Sequence, residues 1–113
     1  MSTVKNRVQI VGNVGSTPEL KVINNTKLMK LSVAVNEFKK YRNGETRNTT
    51  HWHKVTVWGK LAEQVQKLTQ KGTKVLIDGK LKTRTYIDKL GKKQTMTEIV
   101  ANEIVINYTP QAA

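Results

Sequence analysis

The sequence contains no cysteine. That excludes a disulfide framework and thiolate metal ligands, and it fits a reducing compartment. Prolines number two, the eight acidic residues are scattered singly, and aromatics make up 5% of the chain. No carboxylate pair is spaced for general acid–base work, no glycine-rich loop could cradle a phosphate, and no serine has His and Asp partners at suggestive spacing. An enzyme is therefore not expected. Long hydrophobic runs are missing as well, so nothing reads as transmembrane. The opening M-S-T-V-K-N-R-V-Q-I-V-G-N offers no continuous apolar stretch, and no signal peptide is expected.

What the chain has in quantity is positive charge: 20 basic against 8 acidic residues, a net of +12 in 113 residues. With no acidic patch to offset it, that field attracts polyanions, nucleic acid first. A membrane surface is a distant second, because no amphipathic basic helix supports it. The length suits one domain with a single core, expected over residues 1–108, with 109–113 as a short C-terminal remnant. No internal repeat or linker interrupts it.

The few aromatics are concentrated where they carry information. Thr50 to Lys60 reads T-H-W-H-K-V-T-V-W-G-K. In a strand, alternate side chains share a face, so Trp52, Lys54, Thr56 and Trp58 lie on one side and His51, His53, Val55 and Val57 on the other. Burying the tryptophans would bury Lys54 with them, and an unpaired lysine is almost never fully buried. The valines therefore go inside and the indoles outside, roughly 20 Å apart along the strand. Two exposed indoles flanking a lysine match single-stranded nucleic acid, whose bases stack on aromatic rings while its phosphates attract Lys and Arg.

Elsewhere the chain alternates like a β protein. Val4 to Val14 reads as a half-buried strand, with Gly12 and Gly15 at a bend and a turn before Pro18. After short Leu20 to Ile23 and a turn at Asn24-Asn25, Lys27 to Asn36 forms a second strand with Met29, Leu31, Val33 and Val35 on one face. Glu37 to Thr50 is basic and polar, and Asn43-Gly44 supplies the residues of a tight turn. It is expected to form a long hairpin exposing Phe38 and Tyr41 among Lys39, Lys40, Arg42 and Arg47, a flap for nucleic acid. Lys60 to Lys71 places Leu61, Ala62, Val65 and Leu68 at helical spacing, with Gly72 as the expected C-terminal cap. Lys74 to Ile87 is a strand with Val75, Ile77, Gly79 and Leu81 on one face and Lys80, Lys82, Arg84 and Tyr86 on the other; Gly79 suits a sharp barrel bend. Leu90-Gly91-Lys92 closes a basic hairpin, and Thr95 to Tyr108 is the last strand.

Three strands, one helix and two strands, with long loops after the second and before the last, is the layout of a mainly β, five-stranded oligonucleotide-binding (OB-fold) Greek-key barrel with one α-helix between strands 3 and 4. In that fold the ligand lies over strands 2 and 3 and the flanking loops. The aromatic-basic stretch is the third strand, so layout and chemistry agree.

Three segments carry a family likeness. N-R-V-Q-I-V-G-N-V-G-S-T-P-E-L, W-H-K-V-T-V-W-G-K-L-A-E and K-G-T-K-V-L-I-D-G-K-L-K-T-R-T-Y, in that order, resemble the bacterial single-stranded DNA-binding protein (SSB) family. The likeness runs from about Asn6 to Tyr108. It implies non-catalytic, largely sequence-independent binding of single-stranded DNA in replication, recombination and repair, in the cytoplasm with the nucleoid, and no cofactor. Base stacking is implied for Phe38, Trp52, Trp58 and Tyr86, and phosphate contact for Arg7, Lys54, Lys60, Lys71, Lys82 and Arg84. A homotetramer is implied, with His53 at a subunit interface.

The family's usual acidic, hydrophobic C-terminal tip, which recruits replication and repair proteins, has no counterpart in the ending Y-T-P-Q-A-A. Either a chain cut at the barrel or a tailless member is expected, and partner recruitment is not carried over. The alternative reading is a tailless primosome-type relative, a dimeric adaptor in replication restart. A nuclease on the same barrel lacks a carboxylate cluster for its metals, and an RNA-binding barrel stays open. His51 and His53 share a strand face, but no further ligand completes a metal site with them.

Overall fold

The computed structural model describes residues 6–109. Val4 and Lys5, at the expected start of the first strand, and residues 110–113 of the expected C-terminal remnant lie outside the described residues. The elements are β1 (Val8–Val14), β2 (Glu19–Ile23), β3 (Thr26–Lys40), β4 (Thr46–Trp58), α1 (Lys60–Leu68), β5 (Lys74–Ile87) and β6 (Lys93–Ile106). β2 and β3 are joined through Asn24 and Asn25, both at positive φ (50° and 62°). A two-residue hairpin turn demands that conformation, and asparagine tolerates it. At the tip between β3 and β4 the Tyr41 N–H donates to the Glu45 carbonyl at 2.8 Å, and Gly44 takes φ 89°.

Pairing runs β1-β5-β6-β4-β3, and the circle closes where Asn13 and Val14 of β1 meet Ala34 and Val33 of β3. All neighbours are antiparallel except β4 and β6, which pair in parallel at Val55–Ile99 and Thr56–Val100. The result is the five-stranded barrel expected from the sequence. β2 is an extra strand paired with β3 outside the closed circle.

Parity decides what the barrel encloses. Odd-numbered residues of β3, β4 and β5 fill it: Met29, Leu31, Val33, Val55, Val57 and Ile77 are each 3% exposed or less. β6 starts with the same parity at Ile99 and Ala101 and then changes. Asp78 opposes Glu103 while Gly79 opposes Ala101, so Asn102 is an extra residue, a bulge. Beyond it the even-numbered Ile104 and Ile106 pack against the core. One bulge explains why the last strand carries apolar residues at both parities. Gly79 sits at this irregularity with its Cα hydrogen facing a carbonyl; a Cβ there would lie 2.2 Å from the Val100 oxygen.

Several boundaries differ from expectation. The helix ends at Leu68, not Lys71, and Thr69 is already extended (φ −123°, ψ 139°). Thr69 is buried at 7% exposure, whereas Leu68, expected to face inward, is 65% exposed. The chain leaves the helix early because it must return to the barrel, where the Gly72 N–H donates to the Val14 carbonyl at 2.8 Å. Gly72 is at φ 95° in that turn instead of capping the helix. Ala62 and Val65 pack on the core as expected, and a Lys27–Glu63 ion pair ties α1 to β3. Leu81, expected inward, is 48% exposed; it lies beyond Gly79, the last residue of β5 paired with β1. The final strand spans Lys93–Ile106 in place of Thr95–Tyr108.

Candidate nucleic-acid interface

Residues directly opposed in a ladder share a sheet face. Across β3 and β4 these pairs include Ser32–Lys54, Ala34–Trp52 and Phe38–Asn48. Between β6 and β5 they include Glu98–Lys82, Met96–Arg84 and Gln94–Tyr86. With Thr56 beside Val100 across the parallel pair, even-numbered side chains of four strands form one continuous outer wall. Phe38, Trp52, Trp58 and Tyr86 stand on it, exposed by 70%, 62%, 44% and 49%, while Val55 and Val57 point into the barrel. Trp52 does not project freely: a Cβ on Gly15 would fall 2.2 Å from its Cζ3, so glycine there lets the edge of the indole rest against the turn after β1.

The wall has one buried acid. Glu98, 7% exposed, accepts from the Thr56 hydroxyl at 2.9 Å and pairs with the Arg84 Nε at 3.2 Å. Its carboxylate therefore holds the Arg84 guanidinium against the sheet and meets part of its charge. Thr56, expected outside with the indoles, is on that face but buried at 4%, because it lies beneath this pair. Lys54 and Lys82 are exposed on the same wall and form no ion pair among the described residues.

Other predicted residues lie elsewhere. Arg7, before β1, donates to Asp78 at 2.6 Å, and Gln9 donates to the same carboxylate at 2.8 Å. The Arg7 hydrogen bond, then that from Gln9, holds the Asp78 carboxyl below its ordinary value of 3.8. Because the folded-state pKa is the lower one, the pair's stabilisation is complete above the ordinary value and is lost as pH falls through the depressed one. A chemical-shift titration of Asp78 should accordingly give a midpoint below 3.8; a midpoint at or above it would mean that the pair does not persist in solution. Tyr41 at the β3–β4 tip has the Arg47 guanidinium 4.9 Å and the Lys39 ammonium 5.6 Å from its ring centroid. Its ring already engages cations. Lys60 begins α1 and Lys71 lies in the turn before β5, both exposed and both off the wall. His53 is half-buried on the odd-numbered side opposite Val33. His51 meets Glu37 across the hairpin at 2.9 Å.

Sequence reasoning missed Lys30, Ser32 and Met96, all on the wall. Lys54, Met96 and Glu98 line a cleft with Ser16, Lys30 and Ser32. The same three line a second cleft with Trp52. The alternation of β3 could have revealed Lys30 and Ser32; Met96 needed the β5–β6 register. Among the described residues no three His, Asp or Glu side chains gather to hold a metal ion, and no helix is long and apolar enough to cross a membrane.

A closed five-stranded barrel with one helix, carrying an aromatic-basic wall over its central strands, defines a protein of the oligonucleotide-binding barrel class. The single-strand binding protein family model matches residues 5–107, and the chain belongs to that family. Among solved structures it is similar to Plasmodium falciparum SSB in complex with ssDNA, at 28% identity and TM-score 0.82, covering 94% of this chain and 97% of that one. It is also similar in fold to a deletion mutant of the single-stranded DNA binding protein from Thermus aquaticus, at 23% identity and TM-score 0.78, covering 90% of this chain and 50% of that one.

Proposed function

We propose that this protein binds and protects single-stranded DNA without catalysis and with little sequence preference, in replication, recombination and repair. The observation that carries this reading is the facing of β4, with both indoles outward beside Lys54 on a wall continuous with the basic side of β5. Stacking tolerates any base because every base has a π-face, and phosphate neutralisation makes the affinity salt-sensitive. The described structure most similar in sequence of the two above is a complex with ssDNA. Phe38, Trp52, Trp58 and Tyr86 are the stacking residues of this reading, and Lys54, Lys82 and Arg84 its phosphate contacts on the wall. Arg7, Lys60 and Lys71 serve strands that wrap beyond it, and Tyr41 with its cations attracts them at the hairpin tip.

Titration with oligo-dT at two salt concentrations tests this through intrinsic fluorescence. Quenching that saturates stoichiometrically and weakens with salt supports it; unchanged fluorescence despite a gel shift would place the indoles away from the bases. A matched oligo-rU series separates a DNA binder from an RNA binder. The Lys54→Ala variant should reduce the slope of log affinity against log salt by about 0.7, the value for one lost single-strand phosphate contact. An unchanged slope would remove Lys54 from the contact set.

The chain further assembles as a homotetramer in this reading, with His53 at a subunit interface. Support comes from β1, which pairs with β3 only through Asn13 and Val14, so that Val8–Gly12 keep one edge open for another strand. Native mass spectrometry distinguishes a tetramer from the dimer of an adaptor-type relative. Location with the nucleoid in the cytoplasm follows from the same reading.

A further inference from the structure

We propose that Met96 is a site of reversible oxidation, and that its sulfoxide weakens the hold of this wall on single strands; the proposal rests on the DNA-binding reading above. With no cysteine in the chain, methionine supplies its only sulfur. Of the two methionines among the described residues, Met29 is 0% exposed inside the barrel, whereas Met96 is partly exposed on the wall. Its position is central. Met96 lines the cleft that contains Lys30 and Ser32, the cleft beside Trp52, and the one formed with Arg84 and Tyr86. Met96 is the residue shared by the Tyr86 cleft and the Trp52 cleft, so a strand bridging the two lies beside its thioether. An unoxidised methionine suits that place, being flexible, polarizable and well disposed toward aromatic rings such as bases.

The Lys54 ammonium lies 3.6 Å from the Met96 sulfur. A sulfur lone pair attacks one oxygen of hydrogen peroxide, an S–O bond forms as the O–O bond breaks, and the departing hydroxide takes the proton from the sulfur-bound oxygen and leaves as water. Sulfur loses two electrons and peroxide gains them. The product is polar and chiral where the thioether was apolar, and its oxygen is a hydrogen-bond acceptor next to Lys54. Lys54 then donates to the sulfoxide instead of a phosphate, and the surface that bases crossed becomes polar. A dithiol acting through a methionine sulfoxide reductase reverses the change, releasing water and a disulfide. Bound DNA covers the sulfur, so occupied protein is protected.

The test treats the full chain with hydrogen peroxide, with and without saturating oligo-dT, maps oxygen adducts by peptide mass spectrometry, and titrates each sample by fluorescence. Met96 should be oxidised and Met29 spared, with DNA slowing the reaction at Met96. Oxidised protein should bind oligo-dT about three- to tenfold more weakly, with a salt slope shallower by about 0.7, and reductase should restore both. The Met96→Leu variant, whatever its own affinity, should be indifferent to peroxide. Oxidised Met96 with unchanged affinity would overturn the proposal, as would a free protein whose Met96 resists oxidation or a Leu variant that loses affinity equally. Should that variant not fold, adduct mapping and reductase rescue of the wild-type chain decide alone. If untreated protein binds no oligo-dT, the DNA-binding reading fails first and this one falls with it.

Discussion

Replacing Trp52 with alanine should weaken oligo-dT binding by about 1 to 3 kcal/mol, roughly fivefold to more than hundredfold, while leaving folding stability nearly unchanged. Both halves of that expectation come from its setting. The residue is 62% exposed, so its removal opens no core cavity, and substitutions at such sites usually stay within about 0.5 kcal/mol. Yet Gly15 lets it rest against the β1 turn, so it is pre-positioned and loses little freedom when a base stacks on it. Equilibrium titration read by anisotropy of a labelled oligonucleotide, beside a urea unfolding curve, checks both. Unchanged affinity with unchanged stability would strike Trp52 from the stacking set.

Gly79→Ala should have the larger effect on the fold, a loss of at least about 3 kcal/mol, the top of the usual range for overpacking. The added carbon would meet the Val100 carbonyl oxygen at 2.2 Å and its carbonyl carbon at 3.0 Å. Those atoms belong to backbone within the β5–β6 ladder and cannot swing aside as a side chain does. Relief requires shifting β6 where it also pairs with β4 at Thr56–Val100. Against a total stability of about 5 to 15 kcal/mol for a small domain, the urea midpoint should drop sharply. A midpoint within error of wild type would show that the barrel has slack at this corner.

Alternation made β4 legible from sequence, because one lysine between two tryptophans leaves a single inexpensive way to orient the strand. Asn24-Asn25 and Asn43-Gly44 announced their turns through residues that tolerate positive φ. The helix was visible as a periodicity, but its end was not, since Thr69 turns extended to satisfy packing that no local signal encodes. Likewise Arg7, Arg84 and Tyr41 looked like free contacts in one dimension. Their partners are brought up by the fold: Asp78 and Glu98 meet part of the charge of Arg7 and Arg84, and Arg47 covers the Tyr41 ring. Asn102 hid the facing of the last strand, because a bulge is a property of two strands side by side.

That bulge bears on how the sequence can vary in length. In the barrel-forming parts of β3, β4, β5 and the first part of β6, odd-numbered side chains such as Leu31, Val33, Val55, Val57, Ile77 and Ile99 make the interior, so inserting or deleting a single residue there would exchange interior and wall over the remainder of that strand. Tryptophans would turn inward and valines outward, and neither folding nor binding would survive. Asn102 lies just past the last wall residue on its strand, where a change of phase touches only Ile104 and Ile106. Additions are otherwise tolerable at the hairpin tips, residues 41–45 and 88–92, which lie outside the strands. In the barrel strands the spacing is therefore fixed by the packing, while the length of the two arms is not.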